Sequence, residues 1–277
     1  MSRVARLGAV LIAFALSAGA VALLFRQVPA SPAVNGERER AYRSNNLGVA
    51  LLEQFNYEAA AAAFREALRI DEGVAIARLN LSIALLYLPD LAGAAREAAA
   101  AALLLPSAPH PLYVQGLTAR ADNRDPDATR FFERVRQIDP ADAGTAINLA
   151  QILLQDRKYF EAAAMLRPVV ADEPYNVTAL YNLGLAVARA GQADEGRQLM
   201  ERSQTVRDSG YGTTLSNGYM EQGRYAEGLA STGIEAGLVD GAMPPAAFAA
   251  VAAFAGGTGE AAVSPFGRQY AAADLSA

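Results

Sequence analysis

Asn46-Leu47-Gly48 returns as Asn182-Leu183-Gly184, 136 positions later, with Asn80-Leu81-Ser82 and Asn148-Leu149-Ala150 between them at multiples of 34. Ala60, Ala94, Ala128 and Ala162 keep the same step, as do Pro106, Pro140 and Pro174. Three independent sets of positions agree on one period without an insertion. The chain is therefore built of repeats, each long enough for two antiparallel helices.

Placing Leu47 and Gly48 seventh and eighth in a unit starts the repeats at Ala41, Ala75, Pro109, Ala143 and Val177. Small residues fill the eighth place (Gly48, Ser82, Gly116, Ala150, Gly184) and the twentieth (Ala60, Ala94, Ala128, Ala162, Gly196), where the two helices must approach closely. Larger apolar residues take the seventh, eleventh and twenty-fourth places, as in Leu47, Leu51 and Phe64, which is one helical face. Pro106, Pro140 and Pro174 end the second helices because proline lacks the N–H and disfavours helix in the residue before it. Glu72 stands at that place in the first unit and marks a weaker boundary. Glu221-Gln222 echoes Glu53-Gln54 two residues short of five periods, which predicts a degenerate sixth unit from Ser209.

The fold expected is all-α, a right-handed superhelix (α-solenoid) of five helix pairs plus the degenerate sixth. Its units pack only on their neighbours. The predicted organisation is a leader over 1–30, a solvated linker or the start of the first helix over 31–40, a solenoid over 41–234, and an Ala/Gly-rich tail over 235–277. Leu7 to Phe25 is uncharged and apolar between Arg3, Arg6 and Arg26, so it reads as an export signal. It is either cleaved after Ala18-Gly19-Ala20 or Val28-Pro29-Ala30, or kept as an inner-membrane anchor. Both put the repeats in the periplasm or cell envelope.

Composition removes several classes of chemistry. The net charge is -5, and the leader holds three of the positive charges, leaving the remainder at -8, which argues against nucleic acid. With no cysteine and His110 as the single histidine, disulfides, thiolate catalysis and cysteine-based metal sites are excluded. His110, between Pro109 and Pro111, reads as a loop residue, and Asp71, Asp139 and Asp172 read as turn residues. Gly256-Gly257-Thr258-Gly259 lacks the Lys-Ser/Thr of a phosphate loop. The expectation is no catalytic residue, no metal and no cofactor.

The candidate site is the face of each first helix opposite its core. It carries Asn46, Asn80, Asn148 and Asn182, a ladder interrupted by Val114, with Ile83 and Leu117 beside it and Tyr113 and Tyr181 flanking. An amide both donates and accepts, so each asparagine suits either a neighbouring helix or the backbone of an extended peptide. Helices roughly 8–10 Å apart and a peptide rising roughly 3.3 Å per residue predict one asparagine for about every third residue.

The repeated Asn-Leu-Gly, the small residues and the proline breaks over 41–208 resemble the tetratricopeptide repeat (TPR) family, which implies a protein-binding scaffold. The asparagines look like the ladder of O-GlcNAc transferase repeats, which implies a grip on substrate backbone. Lysine is absent from the groove, and Arg120 and Arg189 stand far apart, which argues against a carboxylate clamp. Glu173 to Gly184, Ser209 to Thr214 and Gln222 to Glu227 resemble the repeat arm of exported FG-GAP (ASPIC/UnbV) proteins. That kinship implies a substrate-recruiting arm for a propeller or enzyme partner, although no acidic calcium loop occurs here. A self-associating envelope-assembly factor is the third expectation.

Overall fold

The computed structural model describes residues 36–88 and 90–232; the leader, the start of the linker and the tail from 233 lie outside the described residues. Ten α-helices follow in order: α1 (Gly36–Glu53), α2 (Tyr57–Ile70), α3 (Ala75–Leu86), α4 (Leu91–Leu104), α5 (Pro109–Ala121), α6 (Asp125–Ile138), α7 (Ala143–Gln155), α8 (Tyr159–Asp172), α9 (Val177–Arg189) and α10 (Ala193–Asp208). They form five hairpins at the expected starts. Residues 36–40, read as linker or helix start, form the beginning of α1. Each helix packs on the one before and the one after it. First helices also touch across units, α1 on α3, α3 on α5 and α7 on α9, and Asn148 of α7 bonds to Tyr113 of α5, so they make one wall.

Local chemistry sets the ends. Asn56, Asp90, Asp142 and Asn176 cap α2, α4, α7 and α9, each accepting from the backbone N–H three residues on. α4, α6 and α8 stop two residues before Pro106, Pro140 and Pro174. α2 stops at the equivalent place without a proline, because Asp71 turns its carboxylate back onto the Gly73 N–H at 2.9 Å. The fifteenth place of units one, three, four and five (Phe55, Asn123, Arg157, Gly191) has positive φ, between 57° and 99°. That left-handed residue turns the chain from one helix into its partner.

Inside each hairpin the eighth and twenty-fourth places fit as a pair. A Cβ added at Gly48 would lie 2.4 Å from the Phe64 ring, and one at Gly116 would lie 2.7 Å from Phe132. Both rings are wholly buried. Glycine faces phenylalanine in units one and three, whereas Ser82 pairs with Ala98 and Ala150 with Leu166 in units two and four. Leu81, Leu149 and Leu183 at the seventh place are buried, but Leu47 is 58% exposed, since no described helix lies before α1 to cover it.

Residues 209–232 depart from expectation. In place of a sixth helix pair they form one 3-10 turn, Arg224–Ala226, within an otherwise extended segment that returns along the first helices. Gly210, Gly212, Gly218, Gly223 and Gly228 weaken helix at about 1 kcal/mol each, and few large apolar residues offset that cost. We call this segment the strap. Its cover explains why α3 is buried all round, from Leu79 through Leu85.

Gly116→Ala is expected to destabilise the chain by about 1–3 kcal/mol, as overpacking does. Combining it with Phe132→Leu recovers part of that loss, as read by urea unfolding. Additive losses in the double variant would show that the two residues do not share one space.

Candidate functional site: the first-helix wall and the strap

The strap runs from unit five toward unit one, against the order of the repeats. It begins as a parallel bridge between Asn176 and Thr213, with Val177 N–H donating to the Thr213 carbonyl at 2.9 Å and Thr213 N–H to the Tyr175 carbonyl at 3.0 Å. Thr178 Oγ1 then accepts the Leu215 N–H at 2.8 Å. A tight loop closed by Ser216 N–H on the Glu221 carbonyl lifts Tyr219 onto the far end of the wall. There Tyr219 meets Tyr87 edge-on at 5.7 Å and Phe55 at 6.4 Å, while Tyr57 stacks on Tyr87 at 5.0 Å. Its hydroxyl accepts the Gly228 N–H at 3.1 Å, tying the two arms of the strap together.

Over unit three the contacts mix backbone and side chain. Buried Tyr113 donates its hydroxyl to the Gln222 carbonyl at 2.5 Å. Gly223, at φ +98°, lies against Gly144; a Cβ on either would fall 2.5 Å from the Tyr113 hydroxyl. Arg224 donates to Asp142 at 3.0 Å and also pairs with Asp139. Asp142 can serve both partners because its other oxygen caps α7. The Tyr225 hydroxyl also donates to Asp139. That bond and the Arg224 charge hold the Asp139 carboxyl below its usual range, while burial and the same carboxylate push Tyr225 up to about 12. Asp139 is thus more than the solvated turn residue expected.

His110 also differs from expectation. It lies in the first turn of α5, not in a loop, with its ring edge-on to Tyr225 at 4.8 Å. Burial, then the Arg224 charge, lower its pKa, with Asp142 opposing. A helix N-terminus disfavours a cation in the same sense.

Over units two and one, asparagine side chains take hold of the strap backbone, while the Leu229 side chain packs against the core beneath. Asn80 Nδ2 donates to the Leu229 carbonyl at 2.8 Å and Asn80 Oδ1 accepts the Leu229 N–H at 2.8 Å. Asn46 repeats the arrangement on Ser231, at 2.9 and 2.7 Å. The spacing is two residues, not the three expected. In an extended chain only alternate residues turn both N–H and C=O to one side, so the step must be even. Asn45, which the sequence reading passed over, is fully buried; it donates to the Leu229 carbonyl at 3.0 Å and accepts from Asn80 at 2.8 Å, fixing the Asn80 amide. Its place beside Asn46 in a helix otherwise apolar at buried positions was the available signal.

The other expected site residues divide. Asn148 bonds within the stack, to the Tyr113 hydroxyl at 3.1 Å, to the Gly144 carbonyl at 2.8 Å and to Arg120. Asn182 is 8% exposed, and its Nδ2 has no hydrogen-bond partner among the described residues. Leu117 packs in the cluster that receives Tyr225 and Ala226, and Ile83 is wholly buried in the cluster that receives Tyr219. Tyr181 is 47% exposed. Beside the strap remain two adjoining cavities of about 390 and 520 Å³, both lined by Arg120, Gln151, Leu215, Ser216 and Asn217. The half-buried Arg120 donates to Gln151 at 2.8 Å and to Asn148 and makes no ion pair among the described residues. No group of three or more potential metal-ligating side chains occurs among those residues.

A tetratricopeptide repeat model matches residues 41–74 and a second matches residues 147–211. The chain therefore carries tetratricopeptide repeats within an all-α solenoid. Among solved structures it is similar to MamA (15% identity over 59% of this chain and 95% of that one, TM-score 0.53). It is likewise similar to MamA from residue 41 onward of Desulfovibrio magneticus RS-1 (19%, 61% and 96%, TM-score 0.55). YrrB, described as a TPR protein with an unusual peptide-binding site, aligns at 17% identity over 65% of this chain and 94% of its own, with a TM-score of 0.51. At these identities the likeness is one of fold. No curated protein matches the sequence.

Gly223→Ala forces both a left-handed φ and a clash with Tyr113, so it is expected to expel the strap. Trypsin then cleaves after Arg224 much faster than in wild type, with the helical signal in circular dichroism unchanged; equal cleavage rates would contradict the fit.

Because folding lowers the His110 pKa, the unfolded chain takes up a proton before the folded one does as pH falls below about 6.5. Stability is full above that pH and declines below it toward the folded pKa. Calorimetry should show a midpoint that drops on acidification from about pH 7.5 to about pH 5.5, and His110→Phe should flatten that slope.

Proposed function

We propose that the chain is a non-catalytic protein-interaction scaffold whose first-helix wall holds an extended polypeptide by its backbone. One observation carries this reading: Asn46 and Asn80, one period apart, each take both the N–H and the C=O of one residue in an extended segment. The side chains of Leu229 and Ser231 play no part in those four bonds, so another sequence meets the same donors and acceptors. Tyr113 adds a fifth backbone contact, and the aromatic cage around Tyr219 shows how a side chain anchors between them. YrrB, a solenoid of similar fold with a peptide-binding site, supports the reading at the level of the scaffold.

The arginine-flanked apolar leader, outside the described residues, makes the scaffold an exported or membrane-tethered one in this reading. Among the described residues no helix is long and apolar enough to cross a membrane.

Peptides of about twelve residues selected from a random display library on the full chain should lose about tenfold or more in affinity for Asn46→Ala/Asn80→Ala, since each substitution removes two bonds of about 0.5–1.5 kcal/mol. Backbone N-methylation should weaken them where side-chain changes do not. A library without binders, or binders indifferent to the amides, defeats the reading. N-terminal sequencing of the chain recovered from an envelope fraction reads the fate of the leader, and recovery from the cytoplasm alone contradicts export.

A further inference from the structure

The strap meets the wall in two ways that carry different information. Its backbone contacts, at Thr213, Gln222, Leu229 and Ser231, would suit many sequences. Its side-chain contacts are selective. Tyr225 sits edge-on to His110 and Tyr113, and Ala226, 2% exposed, follows in a space that admits only a small residue. Arg224 meets two carboxylates.

What the strap leaves unused is as informative. Arg120 is half-buried and held by two neutral amide oxygens; among the described residues Asp125 acts on it only at a distance, and no carboxylate pairs with it directly. The strap residues facing it, Leu215, Ser216 and Asn217, are uncharged and leave the two cavities open. A partly desolvated cation with no carboxylate in direct contact is unfavourable, and a carboxylate placed on it recovers part of that loss. Arg120 is always protonated near neutral pH. The enclosed Asn182 Nδ2 lies at the same open stretch.

We infer that the strap is a tethered stand-in for an external ligand. That ligand is an extended segment of another protein with an aromatic and then a small residue at the Tyr225 and Ala226 places, and a carboxylate at the Asn217 place facing Arg120. The inference rests on the backbone-binding reading above. The tether favours the strap at an effective concentration of roughly millimolar. The strap of a second copy brings the same contacts and no more, so it does not compete below that concentration. A foreign segment that adds the Arg120 contact does.

The test uses two labelled peptides in fluorescence anisotropy, one with the sequence of residues 213–232 and one carrying Asn217→Asp, each added to the full chain. The acidic peptide should bind wild type about tenfold more tightly than the unaltered one, a step of about 1.4 kcal/mol. That advantage should vanish in Arg120→Gln. Gly223→Ala, which loosens the strap, should tighten both peptides about tenfold or more. In the isotopically labelled wild-type chain, the Leu229 and Ser231 amides should lose hydrogen-exchange protection as unlabelled acidic peptide saturates. This last readout decides the matter if Gly223→Ala does not fold.

Equal affinity of the two peptides, still dependent on Asn46 and Asn80, removes the ligand assignment and leaves the backbone-binding reading intact. Absence of binding to wild type and to a folded Gly223→Ala chain removes both. A wild-type dimer that grows with concentration and exchanges straps assigns the groove to a second copy and overturns the inference.

Discussion

A backbone that crosses the face of a helical wall has no neighbouring strand to complete its hydrogen bonds, yet once covered its N–H and C=O groups must be paired. An unpaired buried group costs about 1–3 kcal/mol. Asn80 and Asn46 meet that requirement by presenting an amide edge where a strand would present a peptide edge. The rest of the strap depends on it. Leu229 and Ser231 are set in register, Gly228 is brought to the Tyr219 hydroxyl, and the arm carrying Tyr225 is drawn against His110 and Tyr113. Asn45 belongs to the same device, since its side-chain oxygen accepts a further bond from Asn80 Nδ2 and supports the same orientation of that amide.

The wall holds its asparagines at this spacing because the repeat is strict. Thirty-four residues without insertion put equivalent side chains on adjacent first helices. Glycine at the eighth place faces phenylalanine in units one and three, so the larger ring is met by the smallest partner. The ladder is uniform in sequence but not in use. Asn148, below the Tyr113 hydroxyl and beside Arg120, is drawn into the stack, because an amide takes the nearest fixed partner.

The repeats were legible because small residues, prolines and capping residues each act locally, within one turn or one hairpin. The start of every unit, the proline stops and the close approaches at the eighth place follow from such rules. The strap was not legible. Leu215, Tyr219, Tyr225 and Gly228 occupy places that match a helix pair, and the match in spacing concealed how little apolar area and how much glycine the segment holds. Its true partners lie as much as 185 residues away, as in Asn46 and Ser231, a distance that no local pattern reports. The same remoteness explains His110, whose ring contact with Tyr225 and neighbouring charge on Arg224 both come from the strap. Of the three stretches that suggested an arm of a larger protein, Ser209 to Thr214 and Gln222 to Glu227 are parts of this segment, while Glu173 to Gly184 belongs to unit five and its approach.

A groove that grips backbone gains affinity without selectivity, so discrimination must come from the places between the amides. Two such places are built into the wall: the aromatic cage of Phe55, Tyr57 and Tyr87, and the slot between His110 and Tyr113. Each takes one ring. They lie at opposite ends of the first helices, so a single straight chain passing along the asparagines cannot fill both, and the strap manages it only by looping out between Ser216 and Glu221. The loop lifts Tyr219 away from the line of the backbone at the stretch beside Arg120, Gln151 and Asn182, and the open space there is its direct consequence. A chain that ran straight through that stretch would give up the Tyr219 cage and gain the polar wall instead. Whichever path wins is therefore decided by one buried ring set against the groups around one half-buried guanidinium.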